Sequence, residues 1–383
     1  MDYKGKKVLV IEGYARQCLP LMRSLRHHGC EIWLLCNSRI DLGYVSRLPH
    51  HKILGICDPD RYEASEQYIV ELIKKGSFDL VIPLVDFSAR ILSEHKQELS
   101  QYAAIASNER DVFTFSQDKL SVMKTCMETH IPCPYTIPQV ACVEDVLNSP
   151  LQFPIIVKPR RGCGARGLHL LENKEALLAE DQNICWRDSV VQEYIPQNNS
   201  NLSSQLFIDN DGVVKSGFVY RSIRWYPLKG GTGTMNQLVV REDIVQTSVR
   251  LAKTLGLKGW IGIDFIDDPR DGISKVIEVN PRIIACATIG SVAGIDLGLP
   301  ILQQAFHQQV DEQQAIKKQL SIRVSQTDVL WFLKSPTRFT AKPSWFCCRH
   351  TKDQMFSWSD PLPWFAFLIR GMMKYNKEMD ERK

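Results

Sequence analysis

Two apolar segments in the second half of the chain carry polar residues where a buried strand rarely tolerates them. They are GWIGIDFI, residues 259–266, and KVIEVNPR, residues 275–282. A carboxylate buried without a partner is costly, so Asp264 in the first segment needs partners. Glu278 and Asn280 lie two apart in the second, and side chains two apart on a strand point to one face. If the two segments pair as a hairpin, all three side chains share that face.

The three side chains suit a divalent cation. Two carboxylates and an amide oxygen are hard ligands, which favour Mg²⁺ completed by water and phosphate oxygens and disfavour Zn²⁺. The alternative is a surface hairpin with ordinary solvated acids. The apolar neighbours Ile263 and Phe265 make the metal site the better interpretation.

A glycine-rich loop lies about a hundred residues earlier, in FPIIVKPRRGCGARGLHLL, residues 153–171. A short apolar strand runs into Lys158, and arginines and glycines follow. Lysine is a point charge, and glycines let backbone N–H groups approach phosphates closely. An exposed hairpin rimmed with arginine is the alternative. Together with the acidic hairpin, the loop predicts a phosphate site.

Strands alternate with helices at the start of the chain. KKVLVIEG, EIWLLC and FDLVIPLVD read as strands separated by amphipathic helical segments. This alternation predicts parallel βαβ units and a Rossmann-like domain over residues 1–110. No GxGxxG follows the first strand, so nothing indicates a dinucleotide site.

The order of five motifs resembles the ATP-grasp superfamily, in the branch of carbamoyl-phosphate synthase-like and other carboxylate–amine ligases. The motifs are SQDKLSVMK, PIIVKPRRGCGARGLHLL, VVQEYIP, GWIGIDFI and KVIEVNPR. The resemblance implies an α/β fold in which two α+β subdomains clamp ATP, behind the Rossmann-like domain. The implied ATP-grasp domain covers residues 111–305, divided into 111–190 with the glycine loop and 191–305 with the metal hairpin.

The resemblance also implies roles for individual residues. Lys119 matches a lysine that contacts nucleotide phosphates, and Lys158 matches one near the adenine and α-phosphate. Arg282 matches an arginine that faces the γ-phosphate or the substrate carboxylate. The implied nucleotide-binding residues are Lys119, Lys158, Arg161, Gly162, Gly164, Ala165, Gly167, Gln192, Glu193, Tyr194 and Ile195. The implied metal ligands, for Mg²⁺ or for Mn²⁺ in its place, are Asp264, Glu278 and Asn280.

Two segments depart from the family pattern. After YIP the family commonly has an acid near the ribose, whereas QNNSNLSSQLF offers none. After NPR many members have a glycine- or serine-rich run, whereas IIACATIGSVAG is more apolar. The ribose contacts and the substrate end are therefore not assigned.

The activity implied by the resemblance is ATP-dependent ligation. A carboxylate would be activated as an acyl phosphate and joined to an amine, with release of ADP and phosphate; small molecules, glycans or peptides would supply both groups. One alternative is a catalytically silent ATP-binding protein with a regulatory or scaffolding role, although the retained ligands and lysines favour an enzyme. A biotin-type carboxylase subunit or a kinase is a further alternative, and no biotin-acceptor domain is visible.

Arginines at positions 221 and 224 precede a second glycine-rich segment, YRSIRWYPLKGGTGTM. Their spacing suggests a bidentate clamp for the acyl substrate, so Arg221 and Arg224 are predicted catalytic residues alongside Arg282. A cationic strand edge that discourages aggregation is the alternative.

Residues 306–383 do not follow the family core. They are rich in Trp, Phe, Leu and basic residues, which is typical of an interfacial membrane helix or a partner-binding helix. Folding back onto the core, with Trp345, Trp358 and Trp364 filling gaps, is the favoured interpretation. A peripheral membrane or protein partner is the alternative.

Composition narrows the class of protein. The 383 residues predict two or three domains, and a net charge of +4 is too small to indicate nucleic-acid binding. Twelve cysteines without metal spacing, no signal-peptide core and no membrane-length apolar run predict a cytoplasmic protein with reduced thiols. A homodimer is compatible with the sequence.

Overall fold

The computed structural model describes most of the chain. The described residues are 3–162, 167–196, 201–228, 231–316, 320–347 and 349–380, with the backbone alone from 374 to 380. The strands among these residues form three β-sheets, of five, three and seven strands.

The N-terminal sheet is wholly parallel, as the alternating pattern predicts. Its strands are β1 (Lys7–Ile11), β2 (Glu31–Cys36), β3 (His51–Leu54), β4 (Leu80–Ile82) and β5 (Ala104–Ile105). The helices of this unit are α1 (Cys18–His27), α2 (Leu42–Val45), α3 (Tyr62–Gly76), α4 (Asp86–Glu94) and α5 (Lys96–Leu99). The strand order β3-β2-β1-β4-β5 reverses between β1 and β4. In open parallel sheets, ligands bind at the carboxyl ends of the strands at such a reversal.

A small antiparallel sheet follows, built from β6 (Ile155–Pro159), β7 (His169–Leu171) and β8 (Ser189–Glu193) in the order β7-β6-β8. Its helices are α6 (Arg110–Gln117), α7 (Lys119–Glu128), α8 (Val143–Leu147) and α9 (Lys174–Glu180). Buried apolar side chains such as Ile155, Leu177 and Trp186 form its core.

A single residue, Asp118, separates α6 from α7. Asp118 is extended, with φ −85° and ψ 103°, so α6 ends before it and α7 begins after it. The Asp118 side chain accepts the N–H of Leu120 and caps α7. Lys119 is therefore the first residue of a helix, where its position is fixed.

A seven-stranded sheet forms the largest layer, in the order β13-β12-β9-β10-β11-β14-β15. Its strands are β9 (Asn201–Ile208), β10 (Val214–Tyr226), β11 (Thr232–Val239), β12 (Gly259–Asp267), β13 (Ser274–Asn280), β14 (Ser321–Arg323) and β15 (Thr351–Asp353). Helices α10 (Glu242–Thr254), α11 (Thr288–Val292) and α12 (Leu299–Ala305) belong to this part of the chain. The predicted hairpin of β12 and β13 is confirmed, and β9 and β10 form a second antiparallel hairpin.

One apolar cluster joins the N-terminal unit to the large sheet. Leu19 and Leu25 of α1 share it with Phe207, Trp260 and Ile283. Because this core is continuous, it holds the carboxyl ends of β1 and β4 against the end of β13.

The C-terminal extension folds back onto the rest of the chain, as favoured from the sequence. Strand β14 pairs with β11, and helices α13 (Ser325–Lys334) and α14 (Leu362–Asp380) follow. In α14, Arg370 forms an ion pair with Asp41. Trp358, however, does not fill a gap, since it is 90% exposed. No helix in the described residues has an apolar stretch long enough to cross a bilayer.

Candidate active site

The acidic hairpin has the register that the sequence pattern requires. Asp264 of β12 lies directly opposite Glu278 of β13, and Gly262 lies opposite Asn280. Directly opposed residues point to the same face of an antiparallel pair. The Asn280 amide donates to Asp264 Oδ2 at 3.1 Å, and the Ser203 hydroxyl donates to Asp264 Oδ1 at 2.5 Å. The structure thus brings the three predicted metal ligands together.

The electrostatics of this face favour a cation. Burial, reinforced by the charge of Glu278, raises the pKa of Asp264 to about 6. Hydrogen bonds from Ser203 and Asn280 act in the opposite direction. Two carboxylates on one desolvated face repel each other, and a divalent cation between them removes that repulsion.

Both predicted lysines reach the hairpin. Lys119 Nζ lies 3.2 Å from Glu278 Oε1 and donates to the Gly162 carbonyl at 2.6 Å. Lys158 Nζ donates to the Ile277 carbonyl at 3.4 Å. Burial lowers the pKa of Lys158 to about 8, while the charge of Glu278 acts against this shift. Two ammonium groups from different elements therefore converge on β13.

A β-bulge in β13 leaves the carbonyl that Lys158 contacts outside the strand pairing. The pairing steps from Asp264–Glu278 to Phe265–Val276, so Ile277 is an extra residue on β13. A bulge leaves its extra residue outside the ladder. The carbonyl of Ile277 is consequently available to Lys158, a feature for which the sequence carries no signal.

The start of α7 is fastened to the entry of the glycine loop. Asp118 accepts a fork of hydrogen bonds from the Arg160 guanidinium, with Nε at 3.0 Å from Oδ1. The N–H of Lys119 donates to the Arg160 carbonyl at 3.0 Å. These contacts fix the position of Lys119 and engage the Arg160 guanidinium with a carboxylate.

Part of the predicted glycine loop is described. Arg161 is exposed and Gly162 has φ +116°, a backbone conformation that favours glycine. Gly167 also has a positive φ, of +66°. Gly164 and Ala165 lie outside the described residues.

The predicted linker residues Gln192 and Glu193 are held by side-chain hydrogen bonds. Gln192 Nε2 donates to Thr136 Oγ1 at 2.7 Å. The Glu193 carboxylate accepts from the N–H of Tyr135 at 3.0 Å and from Arg270 Nη2 at 2.8 Å. Both side chains therefore support the linker, and their predicted role toward adenine stays a prediction.

The other two linker residues differ in exposure, since Tyr194 is half-buried and Ile195 is buried. The N–H of Tyr194 donates to the Pro154 carbonyl at 3.3 Å. A cavity of 580 Å³ borders Glu193, Tyr194 and Arg270. This cavity is lined by residues on both sides of the linker and is separate from the lysines.

Arg282 connects the acidic hairpin to the N-terminal unit. Its Nε and Nη2 donate to the two carboxylate oxygens of Asp86 at 2.8 and 2.7 Å, and Nη2 also donates to Asn280 Oδ1 at 3.2 Å. Asp86 was not predicted as a site residue. Its signal in the sequence is an acid just after the strand segment LVIPLV, at the carboxyl end of a parallel strand.

Glu12 is a second residue that sequence reasoning missed. It follows β1 with a φ of +78°, which is rare outside glycine. Its Oε2 accepts from the N–H of Val85 at 2.8 Å and from the hydroxyl of Ser88 at 2.6 Å. Burial raises the pKa of Glu12 to about 7, and the charge of Arg282 opposes the shift. Glu12 therefore anchors the segment that presents Asp86.

The predicted clamp of Arg221 and Arg224 finds no support. Arg221 Nη2 donates to Asp267 at 3.0 Å, whereas Arg224 Nη1 donates to Asp328 of α13 at 3.1 Å. A β-bulge separates the two residues on β10, and each guanidinium is held by a different carboxylate, so the two do not form one clamp. Lys229 and Gly230, in the glycine segment after the two arginines, lie outside the described residues.

A second cavity, of 450 Å³, lies where the N-terminal sheet meets β12 and the end of β13. Its lining includes Arg282, Trp260, Lys258 and Asn108. It adjoins the site through Arg282. Among the described residues, neither cavity lining contains Lys119 or Lys158; both lysines contact the hairpin directly.

Comparison with known protein families identifies one domain in the chain. Residues 116–286 match the model of the ATP-grasp domain. Among curated proteins, the D-aspartate ligase of Enterococcus faecium is 26% identical over 226 residues, which is 53% of each chain. The carbamoyl phosphate synthase large chain of Clostridium beijerinckii is 27% identical over 164 residues, or 40% of this chain and 15% of that one. The chain thus aligns with about half of the first relative and a small part of the second.

Solved structures share the fold at low sequence identity. The biotin carboxylase domain of the Hydrogenobacter thermophilus 2-oxoglutarate carboxylase superposes with a TM-score of 0.69 and 17% identity, covering 82% of this chain and 72% of that one. The N5-carboxyaminoimidazole synthetase of Staphylococcus aureus gives a TM-score of 0.65 and 16% identity, covering 82% of both. These likenesses concern the fold alone. Together with the domain match, they show that the chain has an ATP-grasp fold, with the ATP-grasp domain itself matched over residues 116–286.

Proposed function

We propose that this chain is an ATP-dependent ligase that activates a carboxylate as an acyl phosphate and joins it to an amine. The observation that carries the proposal is the convergence of Lys119 and Lys158 on the hairpin that bears Asp264, Glu278 and Asn280. Lysines neutralise phosphates, and hard oxygen ligands hold the cation that accompanies ATP. The arrangement thus provides for both parts of a metal–nucleotide complex.

The residues present fit Mg²⁺. Asp264 and Glu278 offer carboxylate oxygens on one face, which Asn280 shares. The Asn280 NH2 group faces Asp264 and its oxygen accepts from Arg282, so the amide would have to turn to serve as a ligand. Among the described residues, no group of three or more His, Cys, Asp and Glu side chains forms a rival metal centre. When bound, Mg²⁺ would withdraw negative charge from the phosphate oxygens.

The nucleotide has to replace a contact that the protein makes with itself. Lys119 and Glu278 form an ion pair at 3.2 Å in this conformation, and both side chains are largely buried. Phosphate oxygens offer Lys119 an alternative anion, and a cation offers Glu278 an alternative partner. We infer that ATP and metal bind together, since either alone would leave one member of the pair without a partner.

The chemistry then proceeds by two transfers. A carboxylate oxygen bonds to the γ-phosphorus of ATP while the bond from that phosphorus to the bridging oxygen breaks, and ADP leaves with both bonding electrons. Lys119 and Lys158 reduce the repulsion between the two anions and stabilise the charge on the transferring group. The amine nitrogen next attacks the acyl carbon, phosphate departs, and the amine proton passes to solvent.

Arg282 is the residue best placed for the acyl substrate. Its guanidinium adjoins Asn280 and is held by the fork of hydrogen bonds that it donates to the Asp86 carboxylate. This pairing fixes the guanidinium plane at the boundary between the metal face and the 450 Å³ cavity. We propose that the carboxylate substrate enters from that cavity.

The substrates are proposed as classes. The name of one relative, D-aspartate ligase, makes an amino acid such as D-aspartate the first carboxylate to test. An amine on a small molecule, a glycan or a peptide would accept it. Mn²⁺ in place of Mg²⁺, a homodimer and a cytoplasmic location remain predictions.

The test is acyl-phosphate capture. Purified protein is supplied with ATP, Mg²⁺ and pools of carboxylates that include D-aspartate, and hydroxylamine traps the acyl phosphate as a hydroxamate. We expect carboxylate-dependent ADP release and hydroxamate, both abolished by Asp264→Asn. Asp271→Asn, a matched change in the exposed turn of the same hairpin, should remain active.

Two outcomes would contradict the proposal. ATP binding without ADP release on any pool would favour the silent regulatory or scaffolding role. Equal turnover by Asp264→Asn would remove the hairpin from the chemistry.

A further inference from the structure

Helix α14 packs one face against the protein and exposes a second face that is also strongly apolar. Ala366 is buried, and Arg370 contacts Asp41 and lies over the ring of Tyr14. The exposed large side chains recur three and four residues apart, which places them in one stripe. They are Leu362, Phe365, Leu368, Ile369, Met372 and Met373.

Further exposed apolar side chains lie in the same C-terminal extension. Leu333, Phe339, Phe346 and Trp358 are all exposed. Helix α14 is fastened to the start of α13, since the Trp364 indole donates to Ser325 Oγ at 2.8 Å and Gln326 Nε2 donates to the Trp364 carbonyl at 2.9 Å. The apolar stripe is thus held in place by specific contacts. Large exposed apolar patches usually mark a surface that binds a partner or a membrane.

The charge of this segment is strongly one-sided. Residues 320–373 hold seven Lys and Arg against three Asp and Glu, an excess of four that equals the net charge of the whole chain. The exposed basic residues are Lys334, Lys342, Arg349 and Lys352.

The three acids of the segment are occupied by the fold. Asp328 pairs with Arg224, and Asp360 accepts from the hydroxyl of Ser46. Asp353 accepts backbone N–H groups, including that of Phe356 at 2.8 Å. Apolar and cationic groups therefore face solvent here without an exposed acid among the described residues from 320 to 373.

We propose that this extension is a docking surface for an anionic phospholipid bilayer, with α14 lying in the plane of the interface. Apolar side chains of an amphipathic helix enter the acyl boundary, and nearby Lys and Arg attract anionic headgroups. The same charge argues against a second copy as the occupant, because two such surfaces would bring their cations together. The proposal does not depend on the ligase activity.

The experiment is vesicle co-sedimentation of the full chain. Vesicles of phosphatidylcholine alone are compared with vesicles that also contain phosphatidylglycerol, at low and high salt. We expect binding to the anionic vesicles, weak binding to the neutral ones, and release as salt screens the charges.

Paired variants identify the surface. Phe365→Glu with Ile369→Glu places two anions on the stripe, at side chains that are 50% and 49% exposed, so the fold should tolerate them. We expect anionic-vesicle affinity to fall by about tenfold or more, because each change removes apolar burial and adds repulsion. The matched control is Leu178→Glu with Val240→Glu, at side chains 51% and 79% exposed outside the extension, and it should bind as the wild type does.

Three results would overturn the proposal. The first is no binding to anionic vesicles. The second is equal loss of binding in the stripe variant and the control. The third is concentration-dependent self-association in analytical ultracentrifugation that the stripe variant abolishes, since a second copy would then cover this face.

Discussion

The ion pair between Arg224 and Asp328 distinguishes a structural from a catalytic role for Arg224. Their side chains are 2% and 0% exposed, and the guanidinium lies 3.1 Å from the carboxylate. Asp328→Ala would leave a buried cation without its counter-charge, which typically costs 3–5 kcal/mol. In this variant Arg224 would still donate to the Pro343 carbonyl at 2.6 Å and lie over the ring of Trp331. We therefore expect a loss of unfolding free energy at the low end of that range, about 3 kcal/mol.

The compensating change separates the two roles. Arg224→Met with Asp328→Leu replaces the pair by apolar side chains, and we expect stability within about 1 kcal/mol of the wild type. Because Arg224 has no substrate contact in the proposed account, the double variant should also retain turnover. Urea unfolding followed by tryptophan fluorescence measures the first quantity, and ADP release measures the second. Glu71→Ala, at a surface pair with Lys75, is the stability control and should unfold with the wild type.

Two results would contradict a structural role for Arg224. An unchanged urea midpoint for Asp328→Ala would show that the pair does not stabilise the extension. A folded double variant without turnover would restore Arg224 to the catalytic role that the sequence suggested.

Four further predictions concern the site and the extension. Lys158→Ala should weaken ATP binding by about tenfold or more in calorimetric titration, because it removes a desolvated cation, whereas the exposed Lys174→Ala should not. Glu278→Gln should abolish ADP release with an unchanged circular dichroism spectrum, and an active variant would reject its metal role. Burial raises the pKa of Glu12 from 4.5 to about 7, so its stabilising contribution is present at low pH and is lost as pH rises through that window, by about 3 kcal/mol in total. Glu12→Gln should flatten this fall in urea midpoints, and an unchanged profile would contradict the assignment. Truncation after residue 310 should give insoluble protein, because it uncovers the edge of the large sheet, and a soluble, active product would show that the extension is dispensable.

The acidic hairpin was predictable because strand periodicity is simple. Side chains alternate strictly, and the apolar residues around Asp264, Glu278 and Asn280 leave one register that buries them. The same holds for the parallel N-terminal sheet, whose alternating strands and helices admit few topologies. The motif order supplied Lys119 and Lys158, which periodicity alone would not single out.

The contacts that were missed depend on long-range geometry. The bulge at Ile277 and the extended conformation of Asp118 leave no periodic mark in the sequence. The pairing of Arg224 with Asp328 spans 104 residues, and that of Arg282 with Asp86 spans 196. Such partners follow from how domains pack, so a charge pattern read locally assigned Arg224 to substrate instead.

The prediction that Trp358 is buried against the core was also wrong. Large aromatic residues are usually buried, and the sequence gives no information on which face of a terminal segment meets the core. The structure shows that the extension packs through apolar residues such as Ile322 and Met355 as well as through polar ones such as Asp328 and Asp360, and that Trp358 lies outside these contacts.

In the proposed site, Asp264 and Glu278 hold a metal ion. ATP binds together with that metal, with its phosphates close to Lys119 and Lys158. The most direct measurement is ATP affinity with Mg²⁺ and with a chelator, for the wild type, Asp264→Asn and Glu278→Gln. We predict that Mg²⁺ tightens ATP binding to the wild type by about tenfold or more, and that each substitution removes this coupling. An ATP affinity that Mg²⁺ does not change, or a coupling that survives both substitutions, would contradict the account.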